Sequence, residues 1–67
     1  MATLTWNMNG YFSHIAELQI LAKKHKPDYI CLQETHLKHN STVLFRGYDI
    51  YRKDREHNTY GGVAILV

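Results

Sequence analysis

The chain has 67 residues with eight basic and six acidic side chains, which give a formal net charge of +2. This length leaves room for one domain at most. One proline, four glycines and a hydrophobic content of 45% exclude collagen-like, proline-rich and disordered chains. The single cysteine, Cys31, excludes an internal disulfide and a zinc site built on a cysteine pair. No apolar run approaches the ~20 residues that a membrane span needs, so we expect no membrane partner.

The beginning of the chain predicts a short strand and a turn. Apolar Leu4 and Trp6 alternate with threonines over residues 3–6, and this period of two favours a strand. Asn9 and Gly10 follow, and both residue types favour turns.

The next segment predicts an amphipathic helix over residues 13–25. Ser13 is the expected N-cap, and Pro27 ends the helix. Spacings of three and four predict one buried face, formed by Ile15, Leu18, Leu21 and Ala22.

The remainder predicts three more strands. Residues 29–32 and 61–67 are continuous apolar runs, which are typical of strands buried on both faces. Residues 48–52 alternate apolar and polar side chains, and we expect loops at 36–41 and 53–60. The predicted order is β–α–β–β–β, an α/β (α+β) arrangement. The first three elements form a parallel βαβ unit, and the last two strands are antiparallel.

The apolar run at 61–67 indicates that further structure covers the sheet. A strand of this kind needs a layer on each face, and one helix cannot cover four strands. We therefore expect residues 1–67 to be the N-terminal part of a single larger domain. The alternative is a complete small α/β protein. The first residues carry neither a basic leader nor an apolar core, so we expect no secretory signal and an intracellular location.

The strongest candidate site lies at the carboxyl ends of the first two predicted strands. Asn7 and Glu34 follow these strands, and ligands of open α/β sheets bind at such ends. An amide oxygen beside a carboxylate suits part of a Mg²⁺ site. The other interpretation is a turn asparagine and a solvated glutamate. His36 is interpreted as a surface residue, and Cys31 as an inert core residue.

A second candidate site is the charged stretch after the third predicted strand. Arg52, Lys53 and Arg55 lie between two tyrosines, Tyr51 and Tyr60. Cations bind phosphates and aromatic rings stack on bases, so this loop is a candidate nucleic-acid contact. The alternative is an ordinary solvated loop.

Four ordered segments resemble one known family. Residues 5–10 read T-W-N-M-N-G, residues 30–37 read I-C-L-Q-E-T-H-L, and residues 47–55 and 61–66 match a third stretch in order. Together they are similar to the opening of the exonuclease–endonuclease–phosphatase superfamily. The Q-E-T-H-L form and the G-G-V-A-I-L block are most like the endonucleases of non-LTR (LINE-type, jockey-like) retrotransposons. Abasic-site repair enzymes usually carry aspartate where this chain has Asn9.

The resemblance implies a two-sheet α/β sandwich of the DNase I-like kind, of which this chain is an incomplete N-terminal portion. It implies Mg²⁺-dependent phosphodiester cleavage, with Mn²⁺ as an alternative ion and no small-molecule cofactor. Glu34 falls on the family's metal-binding glutamate, and Asn7 on its active-site asparagine. Asn9 falls beside them, in the network around phosphate and metal-bound water. For the retrotransposon branch the partner is chromosomal DNA in the nucleus, nicked to prime a downstream reverse transcriptase.

The family's remaining catalytic residues have no counterpart in this chain. They are a tyrosine, an aspartate–asparagine pair and a final aspartate–histidine pair, and His36 does not replace the general base. We therefore expect the parent domain to be an enzyme and the isolated chain to be inactive. The alternatives are an abasic-site nuclease, a deadenylase or a phosphoesterase of the same superfamily, or a degenerate remnant that binds nucleic acid weakly.

Overall fold

The computed structural model describes residues 2–38, 40–55 and 61–67. Over these residues it contains one helix and four strands, in the predicted order β–α–β–β–β. The elements are β1 (Thr3–Asn7), α1 (Tyr11–His25), β2 (Tyr29–Gln33), β3 (Ile50–Lys53) and β4 (Val63–Leu66). The second part of the predicted charged loop, residues 56–60 with Tyr60, lies outside the described residues.

The strands form one mixed sheet in the order β1-β2-β4-β3. β1 and β2 are parallel, with Asn7 opposite Gln33, and β4 is antiparallel to both β2 and β3. The predicted parallel βαβ unit and the antiparallel last pair are confirmed. Because β1 and β2 are parallel, their carboxyl ends lie at the same edge of the sheet, which we call the Asn7–Gln33 edge.

Helix α1 begins two residues earlier than predicted, and Ser13 is not its N-cap. The cap is Gly10, at φ 112°, with no side-chain hydrogen bond. The early start has a tertiary cause, because the N–H groups of Gly10 and Tyr11 donate to the carbonyl oxygens of Glu34 and Thr35. These groups have no partner within the helix, and the neighbouring strand end supplies one.

The hydrophobic core lies between α1 and one face of the sheet. Leu18 and Ala22 of the predicted helix face are buried, whereas Ile15 and Leu21 are only half-buried. From the sheet and the adjoining segments, the buried apolar residues are Met8, Ile30, Leu32, Leu37, Phe45, Ala64 and Leu66.

The opposite face of the sheet, which we call the open face, is apolar and partly exposed. One row across it consists of Thr5, Cys31, Ile65 and Tyr51 in register. Ile65 keeps 47% of its surface exposed, and Cys31 is half-buried. The prediction that both apolar strands are buried on two faces is therefore wrong for the described residues, since α1 covers only one side. Cys31 is likewise not a core residue here.

β3 and β4 are shorter than the predicted strands at their amino ends. Phe45 and Tyr48 form an isolated bridge around a turn, and the ladder with β4 begins at Ile50. Gly61 and Gly62 have φ of +91° and +88°, outside the range of a regular strand. Within the described ranges, no helix is long and apolar enough to cross a bilayer.

Candidate active site

The two predicted site residues are neighbours at the Asn7–Gln33 edge. Asn7 is the last residue of β1 and lies opposite Gln33, the last residue of β2. Glu34 follows Gln33 directly, so the amide and the carboxylate come from adjacent strand ends. Both residues are exposed, and the site is therefore open to a ligand from solvent.

The backbone beyond the two strands continues to pair. The N–H of Met8 donates to the carbonyl oxygen of Gln33 at 2.9 Å, and that of Gly10 donates to the carbonyl oxygen of Glu34 at 2.9 Å. The N–H of Tyr11 donates to Thr35 at 2.8 Å. The turn between β1 and α1 is thus fixed against the segment that carries Glu34.

Left-handed backbone concentrates at this edge. Asn9, Glu34 and His36 have φ of 49°, 50° and 55°, and the remaining non-glycine residue with positive φ in the described part of the chain is Lys26 at the end of α1. Asparagine and histidine are enriched in this region, whereas glutamate rarely adopts it. Non-glycine residues held in this region cluster at functional sites, where the surrounding structure maintains the strain.

His36 is a neighbour of Glu34 and not the surface residue that the sequence indicated. Its Nε2 lies 3.9 Å from Oε1 of Glu34, with the two side chains 17% and 48% exposed. Its N–H donates to Gly61, so the residue is tied to the start of β4. The left-handed backbone at Glu34 and His36, rather than a continuation of β2, accompanies this proximity.

The oxygen donors at this edge suit a hard cation only in part. The Glu34 carboxylate and the Asn7 amide are the kinds of ligand that Mg²⁺ accepts, with water and substrate phosphate completing the shell. Among residues 2–38, 40–55 and 61–67, no group of three or more histidine, cysteine, aspartate or glutamate side chains could hold a metal ion. The described residues therefore fit one side of a metal site, to which Glu34 could contribute one carboxylate.

The three cations of the second candidate site have different surroundings. Arg52 Nη2 donates to the carbonyl oxygens of Lys38 and Ser41, and its Nε lies 3.4 Å from Oδ2 of Asp54. These contacts tie the guanidinium to the chain itself. Lys53 and Arg55 are exposed. Lys53 shares a row of the sheet with Val63, Gln33 and Asn7, so it lies at the same edge as the first site.

Sequence reasoning passed over two residues that support Glu34. Thr35 is 1% exposed directly beside it, and Gly62 lies against the Thr35 hydroxyl. The pair Gly61-Gly62 within the predicted strand 61–67 was the available signal, because glycine in a strand pattern often marks a close approach of another backbone.

The profile of the Endonuclease/Exonuclease/phosphatase family matches residues 4–67, and the chain belongs to this family. Members of the family generally depend on a divalent metal. Among known proteins, the chain is 34% identical over 67 residues to the probable RNA-directed DNA polymerase from transposon BS of Drosophila melanogaster. The predicted resemblance to the family and its retrotransposon branch is confirmed.

Solved structures of the same fold superpose closely on the chain. The 3′ phosphatase NExo from Neisseria, bound to a product DNA hairpin, gives a TM-score of 0.87 at 28% identity over 98% of this chain. An AP endonuclease from Archaeoglobus fulgidus gives 0.80 at 26% identity over 98% of this chain. The predicted DNase I-like fold class is confirmed. The chain spans 26% of each of these structures and 7% of the transposon relative.

Proposed function

We propose that the chain forms part of a Mg²⁺-dependent endonuclease of the retrotransposon type, which nicks target DNA and leaves a 3′ hydroxyl that primes reverse transcription. The observation that carries the proposal is the placement of Glu34, a strained and exposed carboxylate beside Asn7 at adjacent strand ends. The transposon relative supports the DNA target and a downstream reverse transcriptase domain. Action on chromosomal DNA requires a nuclear location, and we include that location in the proposal.

In this proposal each residue of the edge has a separate role. Glu34 holds the metal ion, whose charge stabilises the phosphate and the leaving oxygen when it is bound. Asn7 orients the phosphate through its amide, and the exposed Asn9 hydrogen-bonds phosphate or water beside it. Lys53 and Arg55 bind the flanking phosphates, since both are exposed and Lys53 lies on the same row as Asn7.

We also propose that the 67 residues alone do not catalyse the reaction. Mg²⁺ takes a near-octahedral shell, and the single Glu34 carboxylate leaves most of that shell to other groups, water and substrate phosphate. The aspartate–histidine pair that the resemblance implies as the general base has no counterpart in this sequence. Solved structures of the fold are about four times longer, and their additional length leaves room for the missing groups.

The experiment compares the 67-residue chain with the native polypeptide, meaning the full translation product that contains it. Both are incubated with supercoiled plasmid DNA, with and without Mg²⁺. We expect nicking by the native polypeptide only, dependent on Mg²⁺ and abolished by Glu34→Ala. Glu17→Ala, which removes an exposed carboxylate of α1, is the matched control and keeps full activity.

Nicking by the native polypeptide that persists after Glu34→Ala would overturn the proposed site. Nicking by the purified 67-residue chain would overturn the proposal that these residues alone do not catalyse the reaction. Cleavage restricted to abasic sites, to poly(A) or to a phosphomonoester would replace the retrotransposon assignment by another activity of the family.

A further inference from the structure

The segment that carries Glu34 is held from two sides. On one side the carbonyl oxygens of Glu34 and Thr35 accept hydrogen bonds from Gly10 and Tyr11. On the other side the N–H groups of Thr35 and His36 donate to the carbonyl oxygens of Gly62 and Gly61, at 3.3 and 2.8 Å. Residues 34–36 therefore form a backbone connection between the turn after β1 and the start of β4.

Gly62 is required at its position for two independent reasons. Its φ of +88° lies in a region that residues with a side chain rarely adopt. A Cβ at this position would also lie 2.8 Å from Oγ1 of Thr35, and 3.5 Å from the carbonyl oxygen of Lys53. Thr35 cannot move outward easily, because it is 1% exposed. A side chain at position 62 would therefore press on the residue next to Glu34.

We propose that Gly61 and Gly62 are positioning residues for the Glu34 carboxylate: their close approach to Thr35 and His36 sets the left-handed turn that aims Glu34 at the metal. This inference rests on the proposed function, because it assigns Glu34 the role of metal ligand. Metal affinity typically falls by about 10- to 100-fold when a group that positions a metal ligand, without binding the metal itself, is altered. The glycine pair supports Glu34 through the backbone rather than through a side chain.

Gly47 provides a matched control. Its φ of +90° is nearly that of Gly62, so alanine causes a similar backbone strain at both positions. A Cβ at Gly47 would meet nothing within 4 Å. The difference between Gly62→Ala and Gly47→Ala therefore isolates the contact with Thr35.

The experiment measures the Mg²⁺ concentration for half-maximal nicking and the rate at saturating Mg²⁺, in the native polypeptide. We expect Gly62→Ala to raise the Mg²⁺ requirement by about tenfold or more, and Gly47→Ala to leave it unchanged. Loss of folded protein alone lowers the saturating rate without changing the metal requirement. The double variant Thr35→Ala/Gly62→Ala removes the clash, and we expect it to return to the requirement of Thr35→Ala.

Two further measurements cover the case in which Gly62→Ala does not fold. Thr35→Val replaces Oγ1 by a larger methyl group and presses on Gly62 from the opposite side, so it raises the Mg²⁺ requirement as well. The backbone amide shifts of Gly61 and Gly62, followed by NMR, move in this variant and not in Gly47→Ala.

Equal Mg²⁺ requirements for Gly62→Ala, Thr35→Val and Gly47→Ala would overturn the inference while leaving the proposed function intact. An activity insensitive to Glu34→Ala would overturn the proposed function. In that case, altered shifts of Gly61 and Gly62 in Thr35→Val still support the backbone connection, whereas unchanged shifts overturn it too.

Discussion

The N–H of Gly10 donates to the carbonyl oxygen of Glu34 at 2.9 Å, so the turn after β1 holds the residue that follows β2. Together with the bond from the N–H of Tyr11 to Thr35, this bond satisfies the first N–H groups of helix α1, and it also fixes the candidate metal ligand. It extends the parallel pairing of β1 and β2 into the site. The position of the Glu34 carboxylate therefore depends on the βαβ unit formed by β1, α1 and β2. Variants can test the role of Glu34 and the stability of this unit separately.

The buried hydroxyl of Tyr11 is expected to make the stability of the fold depend on pH in the alkaline range. Its side chain is 3% exposed, and its hydroxyl has no hydrogen-bond partner among the described residues. Burial raises the pKa of Tyr11 above its ordinary 10.0. The folded state then holds the Tyr11 proton more tightly than the unfolded state. The contribution of Tyr11 to the free energy of unfolding is therefore complete below pH 10, and it is lost as pH rises through the pKa of the folded state.

We expect Tyr11→Phe to raise the free energy of unfolding by about 1 kcal/mol at pH 7, because it removes an unpaired buried hydroxyl. Above pH 10 the wild-type protein loses stability faster than the variant. Urea denaturation of both proteins, at pH 7 and at increasing alkaline pH, measures the difference between their free energies of unfolding. The contributions of the other titrating groups are the same in both proteins and cancel in this difference. Parallel stability curves above pH 10 would contradict the assigned burial.

Arg52 is expected to stabilise the fold. Its guanidinium connects β3 with the backbone of Lys38 and Ser41 and faces Asp54, whose side chain is only 6% exposed. Removing one partner of a buried charge pair costs about 3 kcal/mol. We expect Arg52→Met to lower the free energy of unfolding by about that amount, as measured by urea denaturation.

The neighbouring exposed cation, Lys53, serves as the control. Lys53→Ala should change stability by no more than about 0.5 kcal/mol, as is usual for surface substitutions. Equal stabilities for the Arg52 and Lys53 variants would show that the contacts of Arg52 contribute little.

Lys53 and Arg55 are expected to bind DNA phosphates. Each neutralised phosphate releases counterions, so Lys53→Ala and Arg55→Ala should each reduce the log–log slope of affinity against salt by about 1. The control is Lys24→Ala, near the carboxyl end of α1 and away from the Asn7–Gln33 edge. Fluorescence anisotropy with a short duplex measures the slopes. Slopes equal to that of the wild-type protein would remove these residues from the interface.

Cys31 reports on whether the open face is covered in the native polypeptide. The residue is half-buried and lies in one row with Ile65 and Tyr51, both substantially exposed in this chain. Apolar surface of this kind is normally covered by another layer. We expect Cys31 in the native polypeptide to resist alkylation, followed by mass spectrometry, until urea unfolds the protein. Alkylation at the denatured rate under native conditions would show that the open face is solvated.

Local patterns were sufficient for the element order, for the β1–β2 and β3–β4 pairings and for the family, but not for the pairing of β2 with β4. The alternation over residues 3–6 and the apolar run that precedes Glu34 mark β1 and β2, and each pattern is set by neighbours along the chain. The carboxyl ends of parallel strands meet in any such unit, so the sequence alone is enough to place Asn7 and Glu34 together.

The remaining details depend on contacts between distant residues. Helix α1 starts at Tyr11 because Thr35 accepts its N–H, and no local signal near Ser13 indicates this. The left-handed conformations of Glu34 and His36 are imposed by bonds to the segments on either side. The sequence around Arg52 likewise does not distinguish a phosphate contact from an internal ion pair.

In the proposed function, Glu34 is the charged ligand of the divalent metal. Mn²⁺ binding to the native polypeptide, measured by electron paramagnetic resonance, tests it without relying on catalysis. Glu34→Gln keeps the shape of the side chain and removes its charge, and Glu17→Gln is the control. We expect Mn²⁺ affinity to fall by about tenfold or more in Glu34→Gln, which is at least the loss seen on altering groups that merely support a ligand. Glu17→Gln should match the wild-type affinity. Equal Mn²⁺ affinity in all three proteins would show that the Glu34 carboxylate does not bind the metal.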